Sequence, residues 1–184
     1  MSTTFPGTTI EATSLEKGSS KHLFDGIFAA GGITLSQVSI MTGLEPYLIQ
    51  NWVKRGFVSS PVKRVYTKEQ FARIVIINML REALQIERIC GFIKIIGGVL
   101  DDSSDDLIGD DELYHRYVDM LATNKINISD KNSVYESALS AVEDLEEKVP
   151  NAKKQLVKIL QVMLYAHSAS LLRDAADEIL SSLN

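Results

Sequence analysis

Residues Leu35 to Lys54 constrain this chain more than any other stretch, because they fit two short helices around a single glycine and fix how those helices cross. A helix-turn-helix unit needs a small residue in its first helix, a glycine in the turn and apolar residues that lock the pair at a steep angle. Counting Leu35 as the first position, Val38 is fourth, Ser39 fifth, Gly43 ninth, Leu44 tenth, Ile49 fifteenth and Trp52 eighteenth, so every core position is suitably filled. Pro46 suits the first turn of the second helix, where its missing N–H costs nothing. Gly56 ends that helix. Tyr47, Gln50, Asn51, Lys54 and Arg55 face away from the small core. Gln and Asn can make paired hydrogen bonds to adenine, and Lys can reach guanine or phosphate, so this is a candidate DNA-reading face.

Charge is unevenly placed. From Ile33 to Ile95 nine Lys and Arg stand against four Glu, a local balance of +5, whereas the chain from Asp101 onward carries −9 and the whole chain −5. Phosphate attraction follows the local field and not the overall charge, so a basic segment joined to an acidic one suits a nucleic-acid module with a regulatory or assembly module. Phe57 to Tyr66 alternates apolar and polar residues around Ser59, Ser60 and Pro61, which predicts a short β-hairpin or extended loop carrying Lys63 and Arg64 to the phosphate backbone. Tyr66 is included in the candidate surface at the end of that strand.

Thr67 and Gln70 have the spacing of a capping box, which predicts a helix from Thr67 to about Leu84. Its stretch Ile74, Val75, Ile76, Ile77, Met79 and Leu80 is apolar almost all round, and this predicts burial on more than one side, with another subunit as one cover. Ile86, Ile89, Ile93, Ile96 and Leu100 then recur as one face of a further helix.

In this order of elements the chain resembles the MerR family of winged-helix transcription regulators. Thr42-Gly-Leu-Glu-Pro parallels the family's turn, and Tyr66-Thr-Lys-Glu-Gln-Phe-Ala-Arg-Ile its tyrosine-led helix start, over residues 33 to 96. A closer resemblance, over about residues 23 to 120, is to the uncharacterised bacterial family catalogued as domain of unknown function 1836. It rests on Leu35-Ser-Gln-Val-Ser, Thr42-Gly-Leu, Ile49-Gln-Asn-Trp-Val-Lys-Arg-Gly, Arg73-Ile-Val-Ile-Ile-Asn-Met-Leu and Asp105-Asp-Leu-Ile. These resemblances imply a DNA-binding regulator. The chain departs from MerR regulators at Gln50 and Asn51, where theirs commonly carry Arg-Tyr, and it lacks their long coiled-coil seam followed by ligand-binding cysteines, so metal sensing is not implied.

The expected organisation is a flexible arm over 1–22, a MerR-like winged helix-turn-helix domain over 23–100, an acidic linker over 101–112 and a helical assembly or regulatory region over 113–184. The fold class is mainly α with a short β-hairpin wing. Three C-terminal stripes support it: Leu113, Tyr117 and Leu121; Val134, Ala138, Ala141, Val142, Leu145 and Val149; and, after Pro150, Leu156, Ile159, Met163, His167, Leu171, Ala175 and Ile179. The last describes one long helix, or two joined near residues 168–170.

One cysteine and three scattered histidines cannot supply a disulfide or an all-Cys/His zinc site. Cys90 reads as an inert core thiol. Asp101, Ser103, Asp105, Ile108 and Glu112 loosely fit a calcium loop, but Asp106 stands where the sharp turn needs glycine; the better reading is a linker whose Asp110 and Asp111 favour the start of the next helix. No nucleophile-elbow, phosphate-loop or dinucleotide-binding motif occurs, so no enzyme and no cofactor is expected. The longest apolar stretch, Phe92 to Leu100, falls short of a membrane span, and the first twenty residues hold no apolar block. A cytoplasmic protein without membrane contact is the expectation.

These readings converge on a transcription regulator that binds double-stranded DNA as a homodimer, with residues 45–55 in the major groove and with Lys63 and Arg64 on the backbone. Two alternatives stay open: a helical protein-interaction module on the same scaffold without DNA binding, and a sensor whose small-molecule effector sits among the C-terminal helices.

Overall fold

The capping box forms as its spacing predicts. In the computed structural model, which describes residues 3–97, 106–123 and 125–183, the Thr67 hydroxyl accepts from Gln70 N at 3.2 Å and Gln70 Oε1 accepts from Thr67 N at 2.9 Å. The helix they open, Lys68–Leu80, is the fourth in the chain (α4). Ile74, Val75, Ile76, Ile77, Met79 and Leu80 are all buried. Each fully buried aliphatic side chain contributes about 1.5–3 kcal/mol, so such a helix must be wrapped. The wrapping comes from the chain itself and not from another subunit.

Eight helices and four two-residue strands make up the fold among the described residues. Strands β1 (Thr3–Thr4) and β2 (Glu11–Ala12) pair antiparallel. Helix α1 (Ser19–Ile27) precedes β3 (Ile33–Thr34), α2 (Leu35–Thr42) and α3 (Pro46–Lys54). Strand β4 (Val65–Tyr66) pairs antiparallel with β3, placing Ile33 opposite Tyr66. After α4 come α5 (Ile86–Ile96), α6 (Asp110–Thr123), α7 (Lys131–Ser140) and α8 (Ala152–Ser181). Helices α2, α6 and α8 pack on α4, α1 packs on α6, and α7 on α8. No helix among the described residues is long and apolar enough to cross a membrane.

Part of the stretch expected as a flexible arm takes regular structure. Residues 3–12 form the β1–β2 hairpin, with Phe5 and Pro6 buried. Tyr114 Oη donates to the Pro6 carbonyl at 2.9 Å, and the amide of Asn78 donates to the Gly7 carbonyl at 3.0 Å. Gly7 has φ +73, and a Cβ there would lie 2.4 Å from the carbonyl oxygen of Val75, so only glycine lets the hairpin sit this close to α4.

Residues 106–112, the described part of the stretch expected as an acidic linker, pack against the rest of the protein. Leu107 and Ile108 are buried, Asp110 and Asp111 open α6 as expected, and Asp110 lies inside the protein, accepting from Arg73 Nε at 2.7 Å. Burial pushes the Asp110 carboxyl up to about 6 against the opposing pull of Arg73. Its Oδ1 is buried with no hydrogen-bond partner among the described residues. Asp101, Ser103 and Asp105 of the calcium-loop reading, and Leu100 of the α5 stripe, lie outside the described residues. Among those described, no group of His, Cys, Asp and Glu could hold a metal.

Two histidines are structural. His115 Nδ1 lies 2.9 Å from the hydroxyl of buried Ser20, and His167 Nδ1 lies 2.8 Å from the hydroxyl of buried Tyr117. Burial lowers the pKa of both rings below 6.5. An unfolded chain therefore binds protons more readily at these positions, so the stability they supply is complete above pH 6.5 and is lost as pH falls below it. Asp110 acts with the opposite sign between about 4 and 6. Urea midpoints of the wild type should fall from pH 7 to 5.5, and His167→Gln should fall less steeply over that range; parallel profiles would remove His167 as a cause.

Candidate nucleic-acid interface

The α2–α3 pair is held by short-range bonds that its residue types make available. Thr34 and Gln37 form a second capping box at the start of α2. Gly43 takes φ +69 and ends α2, and Ser39 Oγ donates to the Leu44 carbonyl at 2.6 Å across the turn. The small residue in the fifth position thus does more than avoid a clash. Thr42 Oγ1 donates to the Val38 carbonyl at 2.7 Å and accepts from Leu44 N at 3.3 Å. Val38, Leu44, Ile49 and Trp52 are buried, as the template requires.

Two residues outside the template complete the turn. Asn78 of α4 donates to the Thr42 carbonyl at 2.9 Å, and Thr9 of the N-terminal hairpin bonds the carbonyls of Ile40 and Met41 through its hydroxyl and its N–H. Neither could be found from local spacing, because their partners lie more than thirty residues away in sequence.

Tyr47, Gln50, Asn51, Lys54 and Arg55 are exposed on α3 and its C-cap. Tyr47, Gln50, Asn51 and Lys54 recur at the three- and four-residue steps that place them on one helix face. Arg55 leans elsewhere: its guanidinium lies 4.6 Å from the Phe57 ring centroid and 3.9 Å from Glu87 of α5.

The Lys63–Arg64 segment is a tight two-residue turn, with Val62 bridging Val65 and Val65 N donating to the Val62 carbonyl at 3.1 Å. Lys63 and Arg64 have φ of 50° and 66°. Positive φ at both central residues is the type I′ pattern, usually Asn-Gly because a Cβ is strained there. Both side chains are exposed. Gln70 fixes the approach to this turn. The amide whose oxygen caps α4 turns its nitrogen to Ser59 and Ser60, donating to their carbonyls at 3.1 and 3.2 Å.

Between α3 and the turn lies an open cleft of about 570 Å³ lined by Leu35, Gln50, Val53, Lys54, Pro61, Arg64 and Tyr66. It brings together four of the eight expected surface residues. Tyr66 is only 3% exposed and its burial raises its pKa, so it lies in the floor of the cleft and not on an outer face. Lys54, Lys63 and Arg64 make no ion pair among the described residues, whereas Lys68, Arg73 and Arg81 nearby are paired with Asp25, Asp110 and Glu82. Of the exposed cations of the basic segment, Lys54 and Arg64 meet at this cleft, whereas Arg88 and Lys94 stand on α5.

A second cleft, of about 470 Å³ and mostly apolar, separates α5 from α4 beneath Gly56 and Phe57. Ile77, Ile86, Ile89 and Ile93 line it, with Arg73, Cys90 and Lys94. Burial raises the Cys90 thiol, in keeping with an unreactive cysteine.

Strain at the turn has a measurable consequence. Replacing Lys63 and Arg64 by Asn and Gly should raise stability by about 1 kcal/mol; a urea midpoint that stays level or drops would contradict it.

No curated protein and no solved structure matches the chain. Residues 33–117, from β3 into α6, match the model of a family described as a domain of unknown function, DUF1836.

Proposed function

We propose that this chain is a DNA-binding transcription regulator of winged helix-turn-helix, MerR-like type, with α2 and α3 as the helix-turn-helix and the Lys63–Arg64 turn as its wing. In this reading α3 enters the major groove, Gln50 and Asn51 meet base edges, and Lys54, Lys63 and Arg64 hold the phosphates on either side. Two subunits act on paired half-sites. The observation that carries the proposal is the convergence of Gln50, Lys54 and Arg64 on one exposed cleft whose cations are not neutralised by neighbouring acids. The turn adds to it, since backbone strain kept at two basic residues is a mark of a functional site. Tyr66 serves by supporting the cleft from below, and Arg55 by bracing α3 against Phe57.

A second reading, a small-molecule sensor, is favoured by the apolar cleft between α4 and α5. That cleft lies against the end of α3, and not among the C-terminal helices. Its volume falls within the usual range of ligand pockets.

Fragments selected from random DNA provide the test. Affinity for them should fall steeply with rising salt, because phosphate contacts release counterions. Lys54→Ala with Arg64→Ala should weaken binding at least tenfold and reduce the salt slope by about 2 without lowering the thermal midpoint. Unchanged affinity and slope would instead favour an interaction module that keeps this scaffold without touching nucleic acid.

A further inference from the structure

The cleft between α4 and α5 is apolar at one end and cationic at the other. Ile86 and Ile89, which border it, belong to the first turn of α5, and Ile93 follows at the same face of the helix. Lys94 and Gly97 border it at the last turn. A Cβ on Gly97 would lie 2.7 Å from Arg73 Nη2, so the guanidinium of Arg73 rests against that same turn. At the rise of an α-helix, the two ends are separated by about 16 Å.

Both cations have capacity to spare. Arg73 donates to Asp110 through Nε alone, and its terminal nitrogens make no hydrogen bond to a described residue. Lys94 is exposed and makes no ion pair among the described residues. No acid lines the cleft among those residues, and Glu87 of α5 faces Arg55 at 3.9 Å instead. Lys94 supplies a full charge that outweighs the partial negative charge of the α5 C-terminus. Arg73 supplies directed N–H donors whose planar fork matches a carboxylate.

We infer that this cleft is a binding site for a medium-chain fatty acid, with its carboxylate between Arg73 and Lys94 and its chain along Ile93, Ile89 and Ile86. A neutral oil would leave the donors at one end without partners, and a cationic amphiphile would meet Lys94. The isoleucines recur along about 10 Å of helix, which suits an extended chain better than a compact ring. The opposite wall is formed by Gly56 and Phe57, directly after α3. Phe57 N donates to the Trp52 carbonyl at 2.9 Å and its ring carries the Arg55 guanidinium, so the ligand would touch the end of the candidate reading helix.

The site gives the small-molecule reading its ligand class and rests on that reading only for a regulatory role, because binding is measured without DNA. Calorimetric titration of the full chain with decanoate, below micelle formation, should give one site with a Kd of about 10–100 μM. Decanol should bind about tenfold more weakly; Lys94→Glu should weaken decanoate about tenfold without changing decanol, and Lys94→Arg should retain wild-type affinity. Lys94 lies in solvent, so neither change threatens the fold. Cys90→Trp should fill the cleft and abolish binding. Cys90 is the sole thiol of the chain and borders the cleft, so saturating decanoate should slow its alkylation by N-ethylmaleimide about fivefold or more. Equal affinity for decanol, indifference to Lys94→Glu, an unprotected Cys90, or binding lost as the protein is concentrated, as a second copy in the cleft would cause, would each overturn the inference. Decanoate binding that leaves affinity for selected DNA unchanged would support the site and remove only its sensor role.

Discussion

One helix with no polar side along its middle dictates how the rest of the chain is arranged. The run from Ile74 to Ile77 in α4 is buried on every side, and a helix like that is stable only if other elements surround it. The N-terminal hairpin, α2, α6 and α8 are the elements that do so. The candidate nucleic-acid interface is therefore held by the same helix that organises the core: Gln70 at its start fixes the loop before the Lys63–Arg64 turn, and Asn78 near its end fixes the turn between α2 and α3. Arg73, between them, ties in α6 through Asp110. Their largely buried ion pair thus joins the basic half of the sequence to the acidic half within a common core.

Local chemistry was legible in the sequence and long-range chemistry was not. The capping box at Thr67, the glycine turn at Gly43 and the buried set Val38, Leu44, Ile49 and Trp52 all depend on neighbours within one or two turns, and all stand where their spacing predicts. Exposure of seven of the eight candidate surface residues followed from the same local pattern. Tyr66 did not, because a strand residue shows its face only once its partner strand is known, and here it pairs with Ile33 across more than thirty residues. Residues 3–12 lack any periodicity, and their order comes from contacts with Val75, Asn78 and Tyr114 far along the chain.

The C-terminal stripe was misleading for a different reason. Steps of four from Met163 through His167 to Leu171, Ala175 and Ile179 drift round the helix, since four residues overshoot a full turn of 3.6. The first half of that stripe meets the core. The second half rotates away from it into solvent.

Asn78 has a consequence that reaches beyond its own site. A single carboxamide nitrogen donates both to Gly7 in the N-terminal hairpin and to Thr42 at the end of α2. The opening residues of the chain are thereby clamped to the hinge of the helical pair by one shared fastener. Whatever prises the hairpin loose, whether trimming, a bulky fusion or a bound protein, tugs directly on the geometry of α2 and α3 without touching either helix.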